Sequence, residues 1–301
     1  MPINTATNPA TLEAGVQLYS AKFIEELAEI LIPVTGFSRN FTDDFTIPGA
    51  KLEVPFLFPN AVSEYDASSN NFATPTTDTL KSCTVALGAH PLIKFTVTPQ
   101  MVANFMPVHW EKKAKMNAVE LAANILGKIA EVPVSSKVTQ TTQLPKDITV
   151  PSVIELAKVA VDFKINPSIA NLYLTPTDYY DLLKSMEYKT TGQTVITNGT
   201  LGGVDFGFGS IVCLPATAKK SFIATPDLVM LASKPYLGAQ QGPAGDTLIE
   251  NILTEPNTGL SMVETVVRDT ATKSSIHTLD VWYGAELGNP KAGVIVNRAE
   301  V

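Results

Sequence analysis

Apolar residues recur at helical spacing in two long stretches of the chain. The first opens at Asn8-Pro9, an N-cap followed by a first-turn proline, and carries Leu12, Val16, Tyr19, Phe23, Leu27 and Ile30 three or four residues apart. Glu13, Lys22, Glu25, Glu26 and Glu29 fall mostly off that face, so the pattern predicts an amphipathic helix running to Pro33. Such a face can pack a core or dock a neighbouring subunit. The second stretch, Thr98 to Glu131, is the longest helical signal. Thr98 suits the N-cap and Pro99 the first helical position, and Val119, Ala122, Ile125, Leu126 and Ile129 form the apolar face before Val132-Pro133 ends the run. Lys112, Lys113, Lys115, Glu120 and Lys128 hold the opposite face, which predicts a helix lying along a sheet, kinked at Pro107. Taken as continuous it would be about 50 Å long at roughly 1.5 Å per residue, which implies an elongated molecule.

Between these helices the period shortens to two. Residues 36–59 read as two extended segments around the turn Ile47-Pro48-Gly49-Ala50, the second with Leu52, Val54, Phe56 and Phe58 alternating. Residues 60–79 lose apolar periodicity, and the strand-like runs LKSCTVALG and LIKFTVT follow. Residues 50–97 are thus expected to form an extended β-hairpin arm returning into the long helix. A two-stranded ribbon is marginally stable by itself, so the arm must lean on something else.

Beyond the polar, proline-ended linker from Thr139 to Pro145 the character changes. Pro151 to Lys164 predicts a short helix through Val153, Leu156, Val159, Ala160 and Phe163, stopped by Asn166-Pro167. NLYLTP reads as a buried strand, and Thr175-Pro176-Thr177-Asp178 opens a helix with Tyr179, Leu182, Leu183 and Met186. After a Gly-, Thr- and Asn-rich loop from Thr190 to Gly209, SIVCLP, SFIATP and DLVMLAS complete an α/β lobe. LIENILT, LSMVETVVRD, SIHTLDVWYG and AGVIVNR are then expected to form the sheet under the long helix. The resulting α+β organisation has five parts: residues 1–49, the arm at 50–97, the long helix at 98–138, an α/β lobe at 139–245 and terminal strands at 246–301.

Composition narrows the function. A chain of 301 residues can form two well-buried lobes. Its charged fraction is 17% and its mean hydropathy +0.14, a low-charge balance that fits much of the surface contacting partners. A net charge of −7 argues against a dedicated nucleic-acid binder. No apolar run reaches the length of a membrane span, and MPINTATNPATLEAG lacks the features of a signal peptide, so the chain is expected to be soluble and intracellular when made. Cys83 and Cys213, far apart and without CxxC spacing, read as two reduced thiols.

Candidate chemistry is sparse. His90, His109 and His277 share no motif and read as structural rather than as a triad or metal cluster. GTLGGVDFGFG (199–209) matches neither a P-loop nor a dinucleotide-binding turn and reads as a flexible loop. Asp43-Asp44 are adjacent strand residues facing opposite ways, which argues against a carboxylate pair. The sequons at Asn40 and Asn198 are not expected to be modified in a chain without a signal peptide. No catalytic, cofactor-binding or metal-ligating residue is expected.

The order of elements is informative. GAKLEVPFL before the polar hairpin, KFTVTP at the entry to the long helix, NLYLTPTDYYDLLKS, FGSIVCLPATAKKSFIATPDLVMLASKPYLG and the closing LSMVETVVRDTATKSSIHTLDVWYGAEL with NPKAGVIV together resemble the major capsid proteins of tailed bacteriophages, the Hong Kong 97-type shell fold. The resemblance covers most of the chain. It implies an N-terminal arm, a protruding hairpin, a spine helix with a peripheral sheet and an axial lobe. It also implies a subunit that self-assembles into hexamers and pentamers of an icosahedral head enclosing double-stranded DNA. No large N-terminal scaffolding segment or inserted domain is recognisable, which implies a separate scaffold protein or none. The partners implied are further copies of the chain, a portal, scaffold or decoration proteins, and packaged DNA held weakly and without sequence preference through lysines lining the inner wall. The implied location is the virion capsid, assembled in the host bacterial cytoplasm, with no membrane, cofactor or enzymatic step. Permanent interfaces of this kind commonly bury some 2,000 to 5,000 Å² or more, so many modest contacts replace a decisive residue. Leu52, Phe56, Phe58, Tyr65, Phe72, Lys81 and Lys94 are the candidate inter-subunit contacts. Some shells of this fold carry Lys–Asn isopeptide links, but no Asn and catalytic Glu can be placed with Lys81 or Lys94, so that chemistry is not carried over. Two alternatives stand beside this reading: an encapsulin-type nanocompartment, disfavoured by the N-terminal arm and long polar hairpin, and an unrecognised α/β enzyme, whose sign would be a small oligomer with turnover.

Overall fold

The computed structural model describes residues 9–41, 51–57, 80–104, 107–135, 138–144, 147–187, 196–197, 200–201, 204–205, 207–235, 247–269 and 274–298. The polar excursion, the turn at 47–50 and Asp43-Asp44 lie outside them. Helix α1 (Pro9–Thr35) buries Val16, Tyr19, Phe23 and Leu27 as the periodicity predicts, and it passes Pro33 by two residues. Strands β1 (Ser38–Asn40), β2 (Lys51–Leu57), β3 (Leu80–Ala86) and β4 (Leu92–Val97) follow.

The long helical stretch is seen as α2 (Pro99–Asn104) and α3 (Pro107–Ser135); residues 105–106, beside the expected kink at Pro107, lie outside the described residues. At the other end α3 tolerates Pro133 and stops two residues later, because in a last turn the missing N–H costs a single bond. Thr98 is the N-cap, its Oγ1 accepting from the Met101 N–H at 3.2 Å. Ile125, Leu126 and Ile129 are buried as expected, but Val119 points outward at 52% exposure. The main neighbour of α3 is α1: one core cluster joins Val16, Tyr19, Phe23 and Leu27 to Ala114, Ala118, Leu121 and Ile125. Sheet residues such as Leu231, Met262, Leu279 and Ile295 belong to the same core, so the helix packs on strands as expected and on α1 as well. Gly15 lets the helices approach, since a Cβ there would sit 2.9 Å from the Trp110 ring.

The second half of the chain alternates. It comprises β5 (Thr141–Leu144), α4 (Val150–Asp162), β6 (Asn171–Leu174), α5 (Pro176–Glu187), the short β7 (Ile196–Thr197), β8 (Thr200–Leu201) and β9 (Val204–Asp205), then β10 (Ser210–Cys213) and β11 (Ser221–Ala224). Strands β12 (Val229–Ser233), β13 (Thr247–Thr254), β14 (Ser261–Asp269), β15 (Ser274–Val281), β16 (Tyr283–Leu287) and β17 (Gly293–Arg298) close the chain. Within the stretch read as a flexible loop, β7, β8 and β9 pair as a small antiparallel sheet.

Strand pairing crosses the boundaries expected at residues 139 and 246. The α/β lobe is a five-stranded sheet in the order β10-β6-β11-β17-β5, with Leu156, Leu172, Leu182, Ile223 and Val294 in its core. Its β17 is the AGVIVNR segment, expected in the other sheet, whereas DLVMLAS leaves the lobe as β12 and pairs with β1 and β16. The four-stranded sheet β13-β14-β15-β4 is antiparallel throughout. Strand β4, expected in the arm, is therefore an edge of the body: alternation is the same in a free ribbon and in an edge strand, so periodicity could not separate them.

Candidate assembly surface

The β2–β3 ladder is fastened to the body at its root. Alternation puts Leu52, Val54, Cys83 and Val85 on one face of the β2–β3 ladder, where Leu52 opposes Val85 and Val54 opposes Cys83. That face meets Met230 and Ala232 of β12; Val54 and Val85 are buried there, with Leu52 and Cys83 packed beside them. The next facing pair outward is Phe56 with Lys81, and Lys81 is exposed. Among the described side chains, cover from the body is seen at these two cross-strand pairs. Its inner end is tied to β16: the Ala89 and Tyr283 amides each donate to the other's carbonyl at 3.0 Å, and the Gly88 N–H donates to Tyr283 at 3.2 Å. Gly284 allows this approach, because a Cβ on it would lie 2.2 Å from the Ala86 carbonyl oxygen.

Among the predicted contact residues, Leu52 is half-buried against the root cluster, Lys81 is exposed on the projecting ladder, and Phe56 lies in that ladder. Lys94 is exposed on β4, in the body, opposite Thr278. Phe58, Tyr65 and Phe72 lie outside the described residues. The structure brings Phe56 and Lys81 together as ladder partners and separates Lys94 from them.

Behind the ribbon, the body is rigidified by a buried polar clamp that sequence reasoning missed. Glu264 of β14 and His277 of β15 are fully enclosed, with His277 Nε2 2.7 Å from Glu264 Oε1. The same oxygen accepts from the Ser20 hydroxyl of α1, and Oε2 accepts from Asn251 of β13 at 3.3 Å. Burial pushes the Glu264 carboxyl pKa up, yet bonds from His277, Ser20 and Asn251 outweigh it and hold the group below its ordinary value, ionised. The rings of Tyr19 and Phe95 pack edge-on against the imidazole at 4.9 and 4.8 Å, and the Tyr19 hydroxyl accepts from Asn117 of α3 at 2.8 Å. One network therefore fixes both helices to the sheet. It is no catalytic triad: the serine donates to the carboxylate rather than to the imidazole, and Ser20, Glu264 and His277 are all buried. The available signal was faint, since Glu264 and His277 sit at positions whose alternation demanded apolar residues.

The other histidines go elsewhere. His90 packs against Trp282 with the rings tilted at 44° and centroids 4.3 Å apart, and lies 3.5 Å from Asp280; His109 is exposed on α3. Cys83 is half-buried and Cys213 exposed, both unbridged, and burial pushes both thiol pKa values up, away from reactive thiolates. Asn40 of the first sequon donates to the Thr258 carbonyl at 2.5 Å, so its amide is engaged in the fold. Among the described residues no His, Cys, Asp and Glu cluster could hold a metal, and no helix is long and apolar enough to cross a membrane.

In the α/β lobe a second clamp joins Arg298 at the end of β17 to α5. Its Nε donates to the buried Asp178 and its Nη2 to Asp181 at 2.6 Å, while Ser221 donates to the other Asp178 oxygen. Desolvation lowers the Arg298 pKa, but the two carboxylates raise it by more. From sequence, Asp178 reads simply as a first-turn acid.

No family model and no curated protein matches the chain. Solved structures do. The chain is similar to the capsid structure of the cyanophage P-SCSP1u at 9% identity, covering 88% of this chain and 87% of that one with a TM-score of 0.54. It is similar to the virus-like particle from Pyrococcus furiosus at 11% identity, covering 93% and 97% with a TM-score of 0.53. The capsid of a native GTA particle matches at 8% identity over 90% of each chain with a TM-score of 0.50. At these identities the likeness fixes the fold, which is the Hong Kong 97-type shell fold seen in tailed-phage capsids.

Proposed function

We propose that this chain is the major capsid protein of a tailed bacteriophage, a structural subunit that assembles through copies of itself into a closed icosahedral shell of hexamers and pentamers around double-stranded DNA. The carrying observation is the projecting β2–β3 ladder on a Hong Kong 97-type body: past Val54 and Val85 this chain supplies the ribbon with no further buried side chains among the described residues. A neighbouring copy would supply that cover, through Phe56, Phe58, Tyr65, Phe72 and Lys81 on one side and an adjacent wall on the other. Lys94, on the body, would belong to the receiving side. Portal, scaffold and decoration proteins would act at the assembly stage in the host cytoplasm, and the role is structural rather than catalytic.

Deleting Ser63 to Asp78 tests this directly. The expected product is a folded subunit that fails to close shells in negative-stain micrographs; normal shells from the shortened chain would refute the role given to the ribbon. A second reading, a nanocompartment enclosing protein, keeps the same fold, and a virus-like particle is among the similar structures. Analysis of purified shells separates the two: nuclease-protected DNA supports the phage head, and copurifying protein cargo supports the compartment.

A further inference from the structure

A cleft in the α/β lobe is lined by cationic and hydrogen-bonding side chains that neither the core nor the hairpin root uses. Its cavity, about 600 Å³, opens where the end of β17, the loop before β11 and the start of α5 converge. Arg298 and Asp178 line it, and Arg298 carries no spare charge: Asp178 and Asp181 together exceed the guanidinium by one negative charge, which Lys184, 3.7 Å from Asp181, offsets. The two lysines on the wall differ. Lys220 donates to the neutral Asn297 amide oxygen at 2.9 Å and has no carboxylate partner among the described residues. Lys219 pairs with Glu131 of α3, but both side chains are exposed, at 70% and 41%, and such pairs are worth about 0–1 kcal/mol, so the ammonium exchanges partners readily. The Thr175 hydroxyl accepts from the Asp178 N–H at 3.3 Å and keeps its own proton to donate; Gln143 presents its amide from β5. Two ammonium groups and neutral donors, beside acids that are already paired, suit a tetrahedral oxyanion, and the volume leaves room for the groups esterified to it.

We propose that this cleft binds a phosphate oxyanion through Lys219 and Lys220, with Thr175 and Gln143 as further donors. Under the shell reading, on which the identification of its source rests, the phosphate belongs to the backbone of the enclosed nucleic acid. Free phosphate would meet the same chemistry. The overall charge of −7 works against a polyanion, so the contact is weak and salt-sensitive.

The test uses the full-length chain with two probes, inorganic pyrophosphate by titration calorimetry and a fluorescein-labelled 20-base-pair duplex by anisotropy. The double variant Lys219→Glu/Lys220→Glu should weaken both by tenfold or more and lower the duplex salt slope by about two. Lys128→Glu/Lys158→Glu, at exposed sites on α3 and α4, carries the same charge change and should weaken either probe less than twofold. Lys219→Gln/Lys220→Gln, matched to the parent in melting temperature, should reproduce the loss and separates it from misfolding. No pyrophosphate binding, or equal losses in the two charge-reversed proteins, would overturn the site. Pyrophosphate binding without duplex binding keeps the phosphate site and overturns the nucleic-acid source. Shell formation is scored separately by microscopy, so failure of the shell reading is distinguishable from failure of the cleft.

Discussion

The ladders β2–β3 and β14–β15 are built alike and supported differently. Both are antiparallel pairings of seven or more residues. In β14, Met262 through Val266 are buried without a break, because one face meets α1 and α3 and the clamp sits among them. In β2 and β3, Val54 and Val85 alone reach that level among the described side chains. Hydrogen-bonded pairing therefore does not distinguish a body strand from an arm; cover does, and cover is supplied by other parts of the chain or by another molecule.

The sharpest way to break the contrast is at the body ladder. Glu264→Ala removes the acceptor shared by His277 and Ser20 and leaves buried polar groups without partners, so urea unfolding should register a loss of about 3–5 kcal/mol. Gly284→Val should cost about 1–3 kcal/mol by driving a side chain into the Ala86 carbonyl, and protease sensitivity should rise within β3 before β14 is touched. Val85→Ala, a smaller change in the same root, should cost about 1–2 kcal/mol. The pH response gives a subtler contrast. The folded-state pKa of Glu264 lies below its ordinary 4.5, so its stabilisation is fully present above that value and is lost as pH falls through the folded value. Acid titration of unfolding should therefore loosen the body in that window, and Glu264→Gln should flatten the acid limb. Smallest of all, Lys81→Ala should change subunit stability by less than about 0.5 kcal/mol, since the side chain is exposed, while lowering shell yield if the ribbon crosses to a neighbour.

Much of this was legible in the sequence, for identifiable reasons. Val16, Tyr19, Phe23 and Leu27 mark a helix because a buried stripe forces their spacing, and Leu172, Tyr173 and Leu174 mark a covered strand because all three are enclosed. The order of elements led to the shell fold. Pairing partners were not legible: β17 and β12 exchange lobes, and nothing local to Val294 or Met230 says which sheet receives it. The clamps were hidden for a related reason. Ser20 lies 244 residues before Glu264, and a carboxylate in a strand looks solvent-facing until its donors are known. Of the proposed contact residues, Leu52 was visible as an alternating apolar position, but its place at the fastened root rather than further along the ribbon depends on Met230 and Ala232, far away in sequence.

Strand β17 lies between β11 and β5, and β5 has no other strand partner in its sheet. Residues 141–144 must therefore wait, unpaired, until residues 293–298 have been synthesised, and the sheet cannot close while the ribosome still holds them. The order in which the sheet is completed is therefore written into its pairing: β5 can join it only through β17, about 150 residues further along the chain.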